Sequence, residues 1–340
     1  DQFSVGFFDW CARHQDEAGL WHQRYFLNGQ SAPNWCLPPD MLQVDQVGAV
    51  GWAFGKWLDG QTAEVSPVEA SLDELRAQRS GAGLPSTTRR AAIRGQIVKP
   101  THSEMLRKAA DYLISRQDET TGVHKNAFDT WETFVGSFTY SNAAIYAAFI
   151  TAFRVLGDKK YALAAQKMKD GVLTHFVRDN GEYKYLVRGF KADGTPDEVV
   201  DSASLGAIEP FGLLDLDVPK ELDLAMGTLR AVTEKLEVDW MGGRAIRRFE
   251  RDAYVGGVPA CVNTLWMARC CLHVARKTGD QELIERAQGY LQVVLRRATP
   301  TGLLPELMQG PTGQSYWAAP HGWAMASFVS GVLALAKLKK

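Results

Sequence analysis

The sequence is short of the features that announce many ligand classes. Charge is balanced: 38 Lys and Arg stand against 39 Asp and Glu, a formal net of −1. No broad field therefore draws nucleic acid or an anionic membrane surface. The densest basic stretch, "TTRRAAIRG" at 87–95, holds three arginines and no aromatic residue, and reads as a solvated loop. Cysteine is scarce and odd in number, and Cys11, Cys36, Cys261, Cys270 and Cys271 fit no disulfide or zinc spacing. The last three fall in an apolar helical pattern, as small core residues do. Such usage fits a reducing, cytoplasmic compartment. Secretion stays open, because Asp1 is not a native start and a leader could have been removed. No uncharged apolar run reaches the roughly 20 residues that span a bilayer. The C-terminal "GWAMASFVSGVLALA" (322–336) is too short and reads as a buried helix. No phosphate-binding glycine loop, no HExxH metal helix and no Gly-x-Ser-x-Gly nucleophile turn occurs. No metal or organic cofactor is expected.

What is present is a large apolar fraction, 46% of 340 residues, recurring mostly at helical spacing. Helices are predicted over 2–14, 41–58, 102–116, 138–156, 159–178, 202–215, 219–236, 258–277, 280–297 and 321–338. "SNAAIYAAFITAFRVLG" is nearly apolar all round, which predicts packing on more than one side. Strand signals are few, and "GEYKYLVRGF" (181–190) reads as a hairpin arm. Long loops rich in Gly, Pro, Trp and charge follow alternate helices, at 16–40, 117–137, 238–257 and 298–320. That order suggests an all-α toroid of helix pairs whose loops build a site. Residues 59–100 are polar and read as an insertion within one domain spanning 1–340.

The loops carry acids beside aromatic rings. "FDTWETF" sets Asp129, Trp131 and Glu132 within four positions, and "GLLPELMQGPTGQSYW" sets Glu306 ahead of Tyr316 and Trp317. Aromatic planes and charged hydrogen-bonding groups suit sugar rings and hydroxyls. Glycoside hydrolysis needs two carboxyl groups with different proton occupancy, and a neighbouring aromatic surface disfavours the charged form. Glu132 beside Trp131 suits the acid and Glu306 the base.

Read together, these segments resemble glycoside hydrolase family 15, the inverting glucoamylase-type glycosidases with an (α/α)6 barrel. "FDTWETF…FTYSNAAIYAA" is similar to the family's acid segment, Asp-Leu-Trp-Glu-Glu, and "GLLPEL" followed by "HGWAMASF" to its base segment and last helix. "RRFERDAYVGGVP" resembles a substrate-site motif, placing Arg248, Asp252 and Tyr254 there; "PNWCLPPDMLQVDQVGA" likewise offers Trp35, Gln43 and Asp45. Trp323 falls on the family's helix tryptophan. The resemblance implies an exo-acting hydrolase of short α-gluco-oligosaccharides, releasing β-glucose, with Glu132 as acid and Glu306 as base. Three departures stand out. Thr133 replaces the family's second glutamate, which points toward α-1,6-linked substrates; Ala260 replaces a tryptophan; and the family's N-terminal Arg-Asp pair has no counterpart. By this alignment the chain begins at the second barrel helix.

Plainer readings accompany each residue. Asp129 caps a turn as readily as it touches substrate. Asp45 suits a helix cap. Arg248 can belong to an ion-pair network with Glu250 and Asp252. Trp35, Trp323 and Tyr254 can be core aromatics. His321 reads as a satisfied core histidine and His124 as solvated. A non-catalytic carbohydrate-binding or regulatory toroid is the rival from another class; trehalase or maltose-type activity is the rival within the family. The expected partner is a small glucose-containing oligosaccharide, and the oligomeric state stays open.

Overall fold

The computed structural model describes residues 2–33, 42–61, 98–309 and 316–338. Trp35, Cys36 and nearly all of the predicted 59–100 insertion lie outside these. The chain divides into two compact units, residues 1–175 with 191–194, and 176–190 with 195–340.

The first unit contains α1 (Gln2–His14), α2 (Asp45–Gln61), α3 (Pro100–Ser115), α4 (Thr139–Leu156) and α5 (Lys159–His175). α4 is its centre: every residue from Thr139 to Ala152 is buried, as its all-round apolar pattern requires. α2 lies directly on α4 because it presents glycines along one stripe. A Cβ at Gly48 would stand 2.5 Å from the Ala144 carbonyl carbon, one at Gly51 2.7 Å from the Ala148 Cβ, and one at Gly55 2.4 Å from the Thr151 Oγ1. Ahead of α4, β1 (Ala127–Phe128) pairs antiparallel with β2 (Val135–Phe138), leaving Asp129 to Phe134 as the turn.

The second unit holds α6 (Pro219–Leu236), α7 (Cys261–Thr278), α8 (Gln281–Leu295) and α9 (Gly322–Leu338). Trp266, Cys270 and Cys271 of α7 are buried, and Cys261 with them. Short antiparallel pairs fill the long connections: β3 (Val177–Asp179) with β4 (Lys184–Leu186), β5 (Gly189–Lys191) with β6 (Pro196–Asp197), and β7 (Glu237–Trp240) with β8 (Gly243–Ile246). The β7–β8 turn places Met241 and Gly242 at φ 48° and 75°, the backbone a two-residue hairpin of this twist demands.

Two expectations are corrected. Residues 202–215 are not a helix: a 3-10 turn ends at Ala207, and Pro210, lacking an N–H, cannot continue it. The apolar run reflects burial, since Ser202 to Ala207 are all inside. α9 is not fully buried either. Only Ala324, Ser327 and Gly331 are covered, a stripe of small residues, while Val329, Val332 and Leu333 are exposed. No helix among the described residues is long and apolar enough to cross a membrane.

The glycine stripe predicts opposite signs for one substitution at two places. Gly51→Ala should destabilise by about 1–3 kcal/mol, since α2 and α4 must part. Gly289→Ala on α8, with open space around it, should stabilise by roughly 0.5–1 kcal/mol through helix propensity. Urea unfolding measures both; equal effects would contradict the close seam.

Candidate functional site

In the first unit, the turn that carries Glu132 is built by Asp129. Its buried carboxylate accepts from the Thr133 N–H at 2.6 Å and the Thr133 hydroxyl at 2.7 Å, and its carbonyl accepts from the Glu132 N–H at 3.0 Å. Asp129 is thus occupied in shaping the turn, and Thr133 is partly occupied with it. Glu132 sits in the left-handed region at φ 59°, an uncommon conformation for a side-chain-bearing residue, held here by the turn.

The Glu132 carboxyl meets two residues that sequence reasoning passed over. Gln23 Nε2 donates to its Oε1, and Arg24 Nη2 approaches the same oxygen at 3.4 Å. Gln23 also donates to Gln43 Oε1 at 2.8 Å, and Gln43 Nε2 donates to the Asp129 carbonyl at 2.9 Å. The only signal was "HQR" in an aromatic-rich loop. Asp45 opens α2 and is buried against Thr130 rather than exposed to a ligand. Burial pushes its carboxyl up to about 6, and its Oδ1 reaches no partner among the described residues. Trp131 beside Glu132 is half-buried.

His124 is a correction. It is buried, with Nδ1 at 2.7 Å from the Lys125 carbonyl and Nε2 accepting from the Phe138 N–H at 2.9 Å. Both ring nitrogens are used to dock the entry of α4, so the ring is neutral, and burial pulls its pKa to about 4.

In the second unit, Glu306 is clamped through its peptide. Its N–H donates to the Trp317 carbonyl at 3.0 Å, and its carbonyl accepts from the N–H of Cys261, the first residue of α7, at 2.8 Å. Leu304 and Leu307 on either side are buried. The carboxyl itself is half-buried and makes no hydrogen bond or ion pair with the described residues. Burial raises its pKa, opposed by the positive charge of Arg248.

Arg248 is held by a two-point pair with Asp252, at 2.7 and 2.6 Å. Its guanidinium lies 4.5 Å from the centre of the Tyr254 ring. The network expectation is right for Asp252 and wrong for Glu250, whose carboxylate instead accepts from the Val200 N–H at 2.8 Å. The Tyr254 hydroxyl accepts from Trp317 Nε1 at 3.1 Å. Tyr254 and Trp323 are not core residues, being 41% and 39% exposed; Trp323 also meets Trp266 edge-on at 5.0 Å. His321 is half-buried rather than core. Standing just ahead of α9, its ring leaves Nδ1 with no partner among the described residues. Open aromatic faces beside a charged clamp, and a carboxyl without a hydrogen bond among the described residues, suit a carbohydrate.

Helix pairs joined by long loops define the class of α/α toroids. No family model matches the chain. It is similar to an uncharacterised glycosyl hydrolase of Methanocaldococcus jannaschii, 25% identical over 334 residues that cover 95% of this chain and 46% of the relative. The chain thus spans about half the length of that relative. Among solved structures, a glucoamylase from Saccharomycopsis fibuligera matches at a TM-score of 0.67 and 16% identity, over 98% of this chain and 80% of that one. A bacterial glucoamylase complexed with acarbose matches at 0.66 and 16%, over 97% and 45%. A D-mannose isomerase matches at 0.61 and 11%, over 99% and 82%. At these identities the likeness shows the fold alone, and the fold is the glucoamylase-type all-α toroid. Because an isomerase shares it, function has to be argued from the site.

Two buried groups pull stability in opposite directions with pH. The fold holds His124 neutral, so its contribution is full above the ordinary 6.5 and is lost as pH falls toward about 4. The fold favours the protonated form of Asp45, so its contribution is full below the ordinary 3.8 and is lost as pH rises toward about 6. Each amounts to at most about 3 kcal/mol, and they nearly cancel in the wild type. Unfolding at several pH values separates them. The deficit of His124→Gln should shrink as pH falls, and any gain of Asp45→Asn should grow as pH rises. Variants that run parallel to the wild type would contradict both assignments.

Proposed function

We propose that the chain is an exo-acting, inverting α-glucoside hydrolase acting on short gluco-oligosaccharides, with 1–340 as one catalytic domain. Glu306 carries the reading. Its backbone is fixed on both sides, yet its carboxyl is left half-buried without a hydrogen-bond partner among the described residues. Such an arrangement is costly for a structural residue and useful for one that must take a proton from water. Glu132 is the acid, with Trp131 beside it. A carboxyl protonated on Oε2 keeps the bonds that Gln23 and Arg24 make to Oε1.

Glu132 gives its proton to the glycosidic oxygen, and the C–O bond electrons leave with that oxygen. Glu306 takes a proton from the water that attacks the opposite face of the sugar. Inverting hydrolases in general hold their two carboxyls about 6.5–9.5 Å apart. Arg248, set by Asp252, and the faces of Tyr254, Trp317 and Trp323 shape the glucose subsite. Gln43, Asp45 and Asp129 support the acid turn, and Trp35 is a further wall candidate. Thr133, exposed where a second glutamate would hold the leaving sugar, favours α-1,6 links such as isomaltose over maltose or trehalose. The free, buried cysteines favour a reducing compartment.

Glucose release from isomaltose, maltose and trehalose tests the reading. Glu132→Gln and Glu306→Gln should each lower kcat by about 10²–10⁴-fold, and isomaltose should be the best of the three sugars. The acid limb of kcat/KM should lie above the 4.5 of an ordinary glutamate, because Glu306 must lose its proton and burial resists that. A variant within a few-fold of wild type would remove that residue from the mechanism.

A further inference from the structure

The bonds around Glu132 have a direction. The Asp129 carbonyl can only accept, so Gln43 must turn its Nε2 toward it. That leaves Gln43 Oε1 to accept from Gln23 Nε2. Gln23 then presents the second hydrogen of the same amide to Glu132 Oε1. The direction is set by a backbone atom of the very turn that carries Glu132. Gln23 Oε1 is buried and has no partner among the described residues. An orphaned acceptor calls for an explanation, and the relay supplies it. Turned over, the amide would set its oxygen against two acceptors, Gln43 Oε1 and Glu132 Oε1. The orphan is the consequence of holding a donor toward Glu132. Arg24, the next residue, aims at the same oxygen from 3.4 Å.

We propose that Gln23, oriented by Gln43, is a positioning residue that makes Oε1 of Glu132 the accepting oxygen and Oε2 the one that carries the proton to the leaving sugar. The proposal rests on the reading of Glu132 as general acid. In the reaction the Oε2–H bond breaks, the proton joins the glycosidic oxygen, and the carboxylate left behind is already met by the donors on Oε1.

The test compares wild type, Gln23→Met and Gln43→Met on isomaltose and on α-glucosyl fluoride, whose fluoride leaves without protonation. Gln23→Met keeps the length of the side chain and removes the donor. It should lower kcat on isomaltose by about tenfold and hardly change it on the fluoride. The alkaline limb of the isomaltose profile should move up, because a donor to the charged form has been removed, while the acid limb stays. Gln43→Met should act in the same direction and more weakly, and it serves as the test should Gln23→Met fail to fold. Titration of the Glu132 carboxyl by 13C NMR reads the same contact without turnover and should show an upward shift in Gln23→Met. Equal losses on both substrates, or an unmoved Glu132 titration, would overturn the relay. A wild type that hydrolyses neither substrate would instead overturn the hydrolase reading, and the NMR titration would still decide whether the relay exists.

Discussion

The close contact of α2 with α4 is the constraint on which the first unit depends. Glycine at 48, 51 and 55 lets two backbones meet where side chains would hold them apart. The consequence reaches the site through the start of α2. Leu42 accepts a backbone hydrogen bond from Phe128, Gln43 bridges the same strand, and Asp45 lies under Thr130. The residues leading into α2 are thereby laid along the turn that carries Glu132. A wider seam would leave the turn intact and take its support away.

Each unit treats its carboxylates according to task. Asp129 is buried and fully engaged in the turn, an arrangement that fixes backbone and leaves little for a ligand. Asp252 is 3% exposed through its side chain and serves to aim Arg248. Asp45 has its pKa raised to about 6 by burial. Glu306 stands apart: its peptide is tied down, and its carboxyl makes no hydrogen bond with the described residues. The contrast between engaged and unengaged acids supports the proposed division between scaffold and chemistry.

Much of this was legible in the sequence, for physical reasons. α4 announced itself because a helix buried on all sides must be apolar on all sides. The acid-bearing loops were visible because Asp129, Trp131 and Glu132 stand within four positions, and Glu306 shortly before Tyr316 and Trp317. The short strands were mostly hidden, since two to four residues carry little alternation; only "GEYKYLVRGF" read as a hairpin arm, and it holds β4, which pairs with β3. The 202–215 segment misled because burial and helicity write the same apolar pattern when Pro210 is overlooked. His124 misled because its docking partners, the Phe138 N–H and the Lys125 carbonyl, are backbone atoms with no signature in sequence. Gln23 was invisible for a similar reason, since its role is set by a carbonyl more than a hundred positions away, at Asp129.

The central claim is that Glu132 and Glu306 act on one α-glucosidic bond with a water between the sugar and the base. The stereochemistry of the first product measures this most directly. The protein is incubated with isomaltose and the anomeric protons are followed by NMR before mutarotation scrambles them. The account predicts β-glucose as the first product. α-Glucose appearing first would mean retention, which requires carboxyls only about 5 Å apart and a nucleophile in place of a base, and would contradict the roles assigned here.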